Sequence, residues 1–270
     1  MASEIPDFYQ SYASYKRYET PNIGRKQIAR FDTEVWGPAA FSTQCRVLEL
    51  GCGTGAFLAY LAAKGITQMV GIDHDPALAD VVPENVRSAF RCADVWTILA
   101  YLAAKGITQM VGIDHDPALA DVVPENVRSA FRCADVWTIL ADPDLGQFDR
   151  VAMFDVLEHF TADEALRLLQ SLRPRLNPGA RLILKVPNAA CPWALQYQFG
   201  DLTHRTAFTP LSMRQLADAA GYEATHVYAQ RQGSRRRMIT DALVHRFLSW
   251  ALLTPPEFWS ANMYAVLVAK

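Results

Sequence analysis

A chain of 270 residues, 51% of them apolar, can bury one substantial core, so a single α/β domain with trimmings is expected. A formal net charge of -2 gives no general electrostatic case for nucleic acid. Five cysteines without short paired spacing argue against a disulfide framework and a zinc cluster, and point to a reducing, cytoplasmic setting. The N-terminal stretch has acids near its start and no apolar centre, so it does not read as a signal peptide; no apolar run reaches transmembrane length. Residues 1–40 are polar and tyrosine-rich and read as an arm or cap ahead of a domain spanning 41–270. Tyr9, Tyr12, Tyr15 and Tyr18 recur every three positions, which keeps successive rings adjacent on a helix while the stripe walks around it.

Residues 47–57, VLELGCGTGAF, set the frame of the domain. Val47, Leu48, Glu49 and Leu50 read as a buried parallel strand, and Gly51, Cys52, Gly53, Thr54 and Gly55 turn directly into an apolar helical pattern. Alternate glycines permit positive φ and remove side chains where a flat or anionic ligand approaches backbone N–H groups. Glu49 is a charge inside an otherwise apolar strand, costly to bury without a partner. About 20 residues on, VGIDHD places Asp73 at the end of the next strand, where a carboxylate can take the ribose hydroxyls of an adenosine ligand. With this loop and acid the chain resembles the class I S-adenosylmethionine-dependent methyltransferases. The resemblance implies a doubly wound Rossmann-like sheet with an antiparallel last strand. It also implies S-adenosylmethionine as cofactor, held by Glu49, Gly51, Cys52, Gly53, Thr54, Gly55 and Asp73. In that family the N-terminal region caps the ligand, so the tyrosines either face the substrate or belong to an arm packed on the domain.

Residues 58–98 recur without a change as 99–139, and the match continues through Leu140 and Ala141. A perfect 41-residue tandem duplication is not a solenoid signature, since stacked repeats diverge and need three or more units. Each copy reads as helix end, strand (ITQMVGID), helix (PALADVVPENV) and strand (RSAFRCAD), so the duplication adds one surplus α/β/α/β unit. Ligands of such sheets sit at the carboxyl ends of strands, so a surplus loop is expected in a helix-to-strand connection, near Lys64 and Gly65 or near Asn85 to Arg87. The second break pairs Asp73 of copy one with Asp135 of copy two; Asp114 and Asp94 are the substitutes. By resemblance, the acid closing the third strand, Asp135, bonds the adenine amine, with Val136 or Trp137 against the ring. The alternative is an acid that only caps the next helix.

Beyond the repeat, a strand at 150–154 runs into Asp155, Val156, Leu157, Glu158 and His159. This resembles the branch carrying quinone and sugar methyltransferases with their VLEH turn, and adds Asp155 to the cofactor contacts. His159 can take a proton from an acceptor hydroxyl, with Glu158 orienting it. Two other readings stay open: both residues only begin the next helix, or Asp155, Glu158 and His159 join His204 around a divalent ion. No metal is assigned.

A helix at 162–176, an NPGA turn and a fifth strand at 181–188 come next as scaffold, with Asn188 expected to face the site. The polar loop of residues 196–210, QYQFGDLTHRTAFTP, carries Asp201, Thr203, His204 and Arg205, and its end resembles methyltransferases of polysaccharide and glycolipid assembly. Thr209 and Pro210 read as an N-cap and first helical position. Residues 234–253 join a basic start to an apolar helix, inserted before the last strand. Packing on its own domain or on a dimer partner is favoured over peripheral membrane contact.

The reading is methyl transfer from S-adenosylmethionine to oxygen or nitrogen of a small-molecule or saccharide acceptor, with His159 or His204 as base. Its rivals are a cofactor-binding protein disabled by the duplication, and an NAD-type oxidoreductase, against which the GxGxG spacing counts.

Overall fold

The structure, a computed structural model, describes residues 19–21, 23–73, 78, 81–87, 89–92, 112–114, 131–133, 136–141, 145–231 and 235–270. Tyr9, Tyr12, Tyr15, Tyr18, Asp94 and Asp135 lie outside these residues.

Helix α1 (Arg25–Phe31) runs into a wide turn (Asp32–Trp36). Phe31, Val35 and Ala39 bury against Phe57, Tyr60 and Tyr264, so this part of the N-terminal region is built into the domain core. Strand β1 (Val47–Leu50) is buried at every position because parallel neighbours flank it on both sides. The glycine turn leads into α2 (Ala56–Ala63), which buries Phe57, Leu58, Tyr60 and Leu61. Strand β2 (Met69–Asp73) pairs with β1, and β3 (Phe90–Cys92) pairs with β2, both parallel. Between them the expected helix is reduced, over the described residues, to short turns on either side of Pro83: Leu78 O accepts from Val81 and Val82 N–H, both at 3.1 Å, and a further turn covers Glu84–Val86. Pro83 explains this, since it can start a helical turn but not continue one.

The second copy contributes β4 (Gly112–Asp114) and β5 (Phe131–Cys133), which form a separate two-stranded parallel sheet. Helix α3 (Val136–Ala141) then returns to the main core, burying Leu140 with Val136 and Trp137 packed alongside. The surplus therefore emerges between Cys92 of β3 and Val136 of α3. This corrects the expectation of a helix-to-strand break and of a β3 drawn from copy two. Every register leaves a surplus of the same length, so loop-closure entropy does not choose among them. The β2 and β3 of one copy, joined by a short connection, pair with each other.

Strand β6 (Phe148–Phe154) pairs with β1 on the side away from β2. Helix α4 (Ala162–Leu172) opens on a capping box in which Thr161 and Glu164 exchange hydrogen bonds, and buries Ala165, Leu168, Leu169 and Leu172 at helical spacing. Strand β7 (Leu176–Pro187) starts earlier than expected and absorbs the NPGA segment, where Gly179 adopts φ +74°. The short α5 (Leu195–Gln198), α6 (Pro210–Ala219), β8 (Tyr222–Ala229), α7 (Arg235–Ala251) and β9 (Asn262–Ala269) complete the chain. Thr209 caps α6 with Pro210 at its first turn, as expected. The main sheet has the order β3-β2-β1-β6-β7-β9-β8, with β9 antiparallel to both neighbours. It is the doubly wound, mostly parallel sheet that the sequence implies.

Candidate active site

All three loop glycines hold positive φ: +68° at Gly51, +51° at Gly53 and +77° at Gly55. At Gly51 an added Cβ would stand 2.2 Å from Val156 Cγ2, so the loop touches the start of the Val156–His159 turn. At Gly55 the neighbour is Val82 Cγ1 at 3.2 Å. Among the described residues no atom lies within 4 Å of that position at Gly53, which leaves an open face above the loop. The backbone N–H groups, however, are not aimed at a ligand. Gly51 and Cys52 donate to Ile72 O at 2.7 and 3.0 Å, Gly53 donates to Asp73 Oδ2 at 2.7 Å, and Gly55 donates to Cys52 O at 3.0 Å. The glycines thus supply conformation and an empty face, and the expectation of anion-binding amides is corrected for these four. Cys52 is buried against Leu58 and Val82 and fills the space under the loop; Thr54 is half-buried.

Asp73 ends β2 with its carboxylate tied to the loop. Glu49 is 3% exposed on a central strand of the main sheet. It stands diagonally across from Asp73 (Glu49 is paired with Gly71), so burial, reinforced by the Asp73 charge, holds its carboxyl well above the usual range. Among the described residues, Glu49 Oε2 is buried without a hydrogen-bond partner. Asp114 ends β4 in the separate sheet. Val136 and Trp137 begin α3; the Trp137 ring stands edge-on to Phe160 at 6.2 Å and under Arg167 at 5.0 Å.

At the end of β6, Asp155 adopts φ +58° and pairs with Lys185 of β7. Lys185, read as scaffold in sequence, is a lysine at the carboxyl end of an apolar parallel strand, which is the signal that marks it. The next turn and the polar loop come together. Arg205 and Thr206 donate their N–H groups to Glu158 O at 2.7 and 3.1 Å. Thr203 Oγ1 donates to Asp201 Oδ1 at 2.6 Å and lies 2.9 Å from His159 Nδ1, so the histidine donates from Nδ1, which in the neutral ring places the lone pair on Nε2. His204 Nδ1 lies 3.1 Å from Gln198 O, an acceptor only, so here too Nδ1 donates, and in the neutral ring the lone pair is on Nε2. That nitrogen is 4.0 Å from both Glu158 Oε1 and Asp201 Oδ2. The two imidazoles stand edge to face at 4.7 Å.

Glu158 is fully buried, and among the described residues neither carboxyl oxygen has a hydrogen-bond partner. Burial first, then the Asp155 charge, pushes its pKa up to about 8. One ligand atom each from Glu158, His159 and His204 lies within 4.8 Å of the others. Asp155, expected in that set, is engaged by Lys185 instead. Two further expectations are corrected. Asn188 is buried and structural, donating to Ser260 O at 3.0 Å and Phe258 O at 3.3 Å. Arg205 forms a surface ion pair with Glu164 at 2.9 Å.

A glycine turn after the first strand of a doubly wound sheet, with an acid closing the second strand, defines a nucleoside-binding class of fold. Residues 25–227 match the family described as a methyltransferase domain; the span exceeds half of the chain, and the protein belongs to that family. Among solved structures, a SAM-dependent methyltransferase from Archaeoglobus fulgidus superposes with a TM-score of 0.54 at 16% identity, over 97% of this chain and 99% of its own. An S-adenosylmethionine-dependent methyltransferase from Clostridium acetobutylicum ATCC 824 gives a TM-score of 0.50 at 9% identity, over 97% of each chain. At these identities the likeness is one of fold. None of the curated proteins matches the sequence.

Proposed function

We propose that the chain transfers a methyl group from S-adenosylmethionine to an oxygen or nitrogen of a small-molecule or saccharide acceptor. One observation carries the reading: the open face at Gly53, with Asp73 tied to the same loop, abuts through Gly51 and Val156 the turn that bears Glu158 and His159. The donor fits these residues. Its amino-acid part meets no side chain at Gly53, its ribose is within the reach expected of Asp73, and the orphaned Glu49 oxygen beneath the loop calls for a hydrogen-bond donor. The bound donor supplies an electrophilic methyl group. The chain's own residues orient the acceptor and receive its proton, which falls to Nε2 of His159 or His204. Asp201, through Thr203, fixes the His159 tautomer, and Gln198 O fixes that of His204.

A second reading has a specific observation behind it: the unpartnered Glu158 carboxyl facing two imidazole lone pairs is a ligand set for a divalent ion. Metal titration separates the two. Catalysis unchanged by chelation supports the base, whereas chelation loss restored by one divalent ion supports the metal.

The donor site is tested by calorimetric titration with S-adenosylhomocysteine. Gly53→Val adds bulk on the open face and roughly 1–2 kcal/mol of left-handed strain, and should weaken binding at least about tenfold. Unchanged affinity would sink the reading. Glu158 adds a pH signature. Its folded pKa of about 8 lies above the ordinary carboxylate value of 4.5, so the unfolded chain loses this proton first. Its contribution to stability is full below the ordinary value and declines as pH rises toward 8. Urea titrations of Glu158→Gln should show a smaller decline over that window than the parent.

A further inference from the structure

Helix α7 shows its apolar side outward. Ile239, Leu243, Phe247 and Trp250 recur at helical spacing along one face and are 62%, 64%, 59% and 81% exposed. The opposite face is the docked one: His245 stacks on Trp259 at 5.6 Å and lies 6.4 Å from Trp193, and Ser249 accepts from Trp259 Nε1 at 2.8 Å. The part of the sequence reading that packs this apolar face on its own domain is thereby corrected; a dimer partner, favoured together with it, stays compatible with the exposure. Segment 193–202, tied to α7 through Trp193, adds Phe199 and Leu202, both more than 70% exposed.

The charge on the helix identifies what this face meets. Residues 235–251 hold Arg235, Arg236, Arg237 and Arg246 against a single acid, Asp241, which is held 3.1 Å from His245 on the docked side. With four arginines to one acid, the excess positive charge on the helix counts against a second copy of the same face. Among the described residues no helix is long and apolar enough to cross a membrane. A basic helix with outward aliphatic and aromatic residues lies along the headgroup level of an anionic bilayer.

The sheet sets where this surface stands. Pro187 of β7 is paired with Asn262, and Ala229 of β8 with Met263, so α7 and segment 193–202 both leave the sheet at the carboxyl end of β7. That is the edge at which Asp155 and the Glu158 turn lie, since β6 and β7 are parallel. We infer that α7 and segment 193–202 form a docking surface for an anionic phospholipid membrane. Resting on the methyl-transfer reading, this makes the acceptor an amphiphile whose reacting oxygen or nitrogen is presented from the bilayer interface.

The test is flotation of the full chain with vesicles of phosphatidylcholine and phosphatidylglycerol, beside vesicles of phosphatidylcholine alone. Binding is expected to the anionic vesicles and to weaken with salt. Trp250→Glu and Phe247→Glu should each reduce it at least about tenfold, and Arg236→Glu should weaken the preference for anionic lipid. All three variants should keep the parent's circular dichroism and its S-adenosylhomocysteine affinity. Flotation that is absent, or unchanged in Trp250→Glu, overturns the proposal, as does a concentration-dependent dimer that Trp250→Glu dissociates while no vesicle binds. Loss of S-adenosylhomocysteine binding with flotation intact would instead sink the methyl-transfer reading alone.

Discussion

The two copies of the duplicated segment are identical in sequence and differ in fate. In copy one, Gly71, Ile72 and Asp73 pair with Phe90, Arg91 and Cys92; in copy two, Gly112, Ile113 and Asp114 pair with Phe131, Arg132 and Cys133 in the same register. Local sequence therefore makes the same parallel pair twice. Only copy one finds β1: Met69 and Val70 extend its strand by pairing with Val47 and Leu48, and the pair becomes the edge of a seven-stranded sheet. Connectivity decides this. The glycine turn runs straight into Leu58, so copy one is delivered to the sheet by α2, whereas copy two is reached only after β3 has formed its pair.

Matched substitutions in the two copies can break that comparison. The largest effect is expected for Asp73→Ala, which removes a carboxylate bonded to the loop and should lower S-adenosylhomocysteine affinity about 10- to 100-fold by calorimetry, while Asp114→Ala leaves it unchanged. Equal losses would mean that the copies exchange places. Next is Gly71→Ala, whose Cβ would stand 2.5 Å from Leu58 Cδ1 and 3.0 Å from Cys52 Sγ. It should cost about 1–3 kcal/mol in urea unfolding, with Gly112→Ala below roughly 0.5 kcal/mol. Least affected should be ligand affinity after the surplus 93–133 is removed. Since any 41 consecutive residues excised within 58–141 leave the same chain, one protein tests every register at once. Its affinity should stay within about twofold of the parent; a larger change would show that the surplus, which emerges at the carboxyl end of β3, intrudes on the site.

Elements whose causes are local were legible. The strand, glycine turn and helix of residues 47–57 and the Thr209 cap formed where the pattern placed them, and the antiparallel last strand formed as the family resemblance implied. Roles that depend on distant partners were not. Asn188 looked like a site residue because Phe258 and Ser260, its partners, lie about 70 positions away in the chain. Arg205 looked functional until Glu164, from another element, claimed it. His159 and His204 were each visible, but their approach to Glu158 depends on how the loop of residues 198–206 folds back over the turn.

By itself the sequence determined the fold class, the strand, glycine turn and helix of residues 47–57 and the residue types at the candidate site, because strand periodicity, glycine torsions and caps are encoded within a few residues. Tertiary structure alone decided which copy enters the sheet, that the loop amides bond inward, that Lys185 engages Asp155 and that α7 turns its apolar side outward. Identical segments cannot encode their own difference, and a hydrogen-bond partner or a buried face is chosen by whatever the rest of the chain brings beside it.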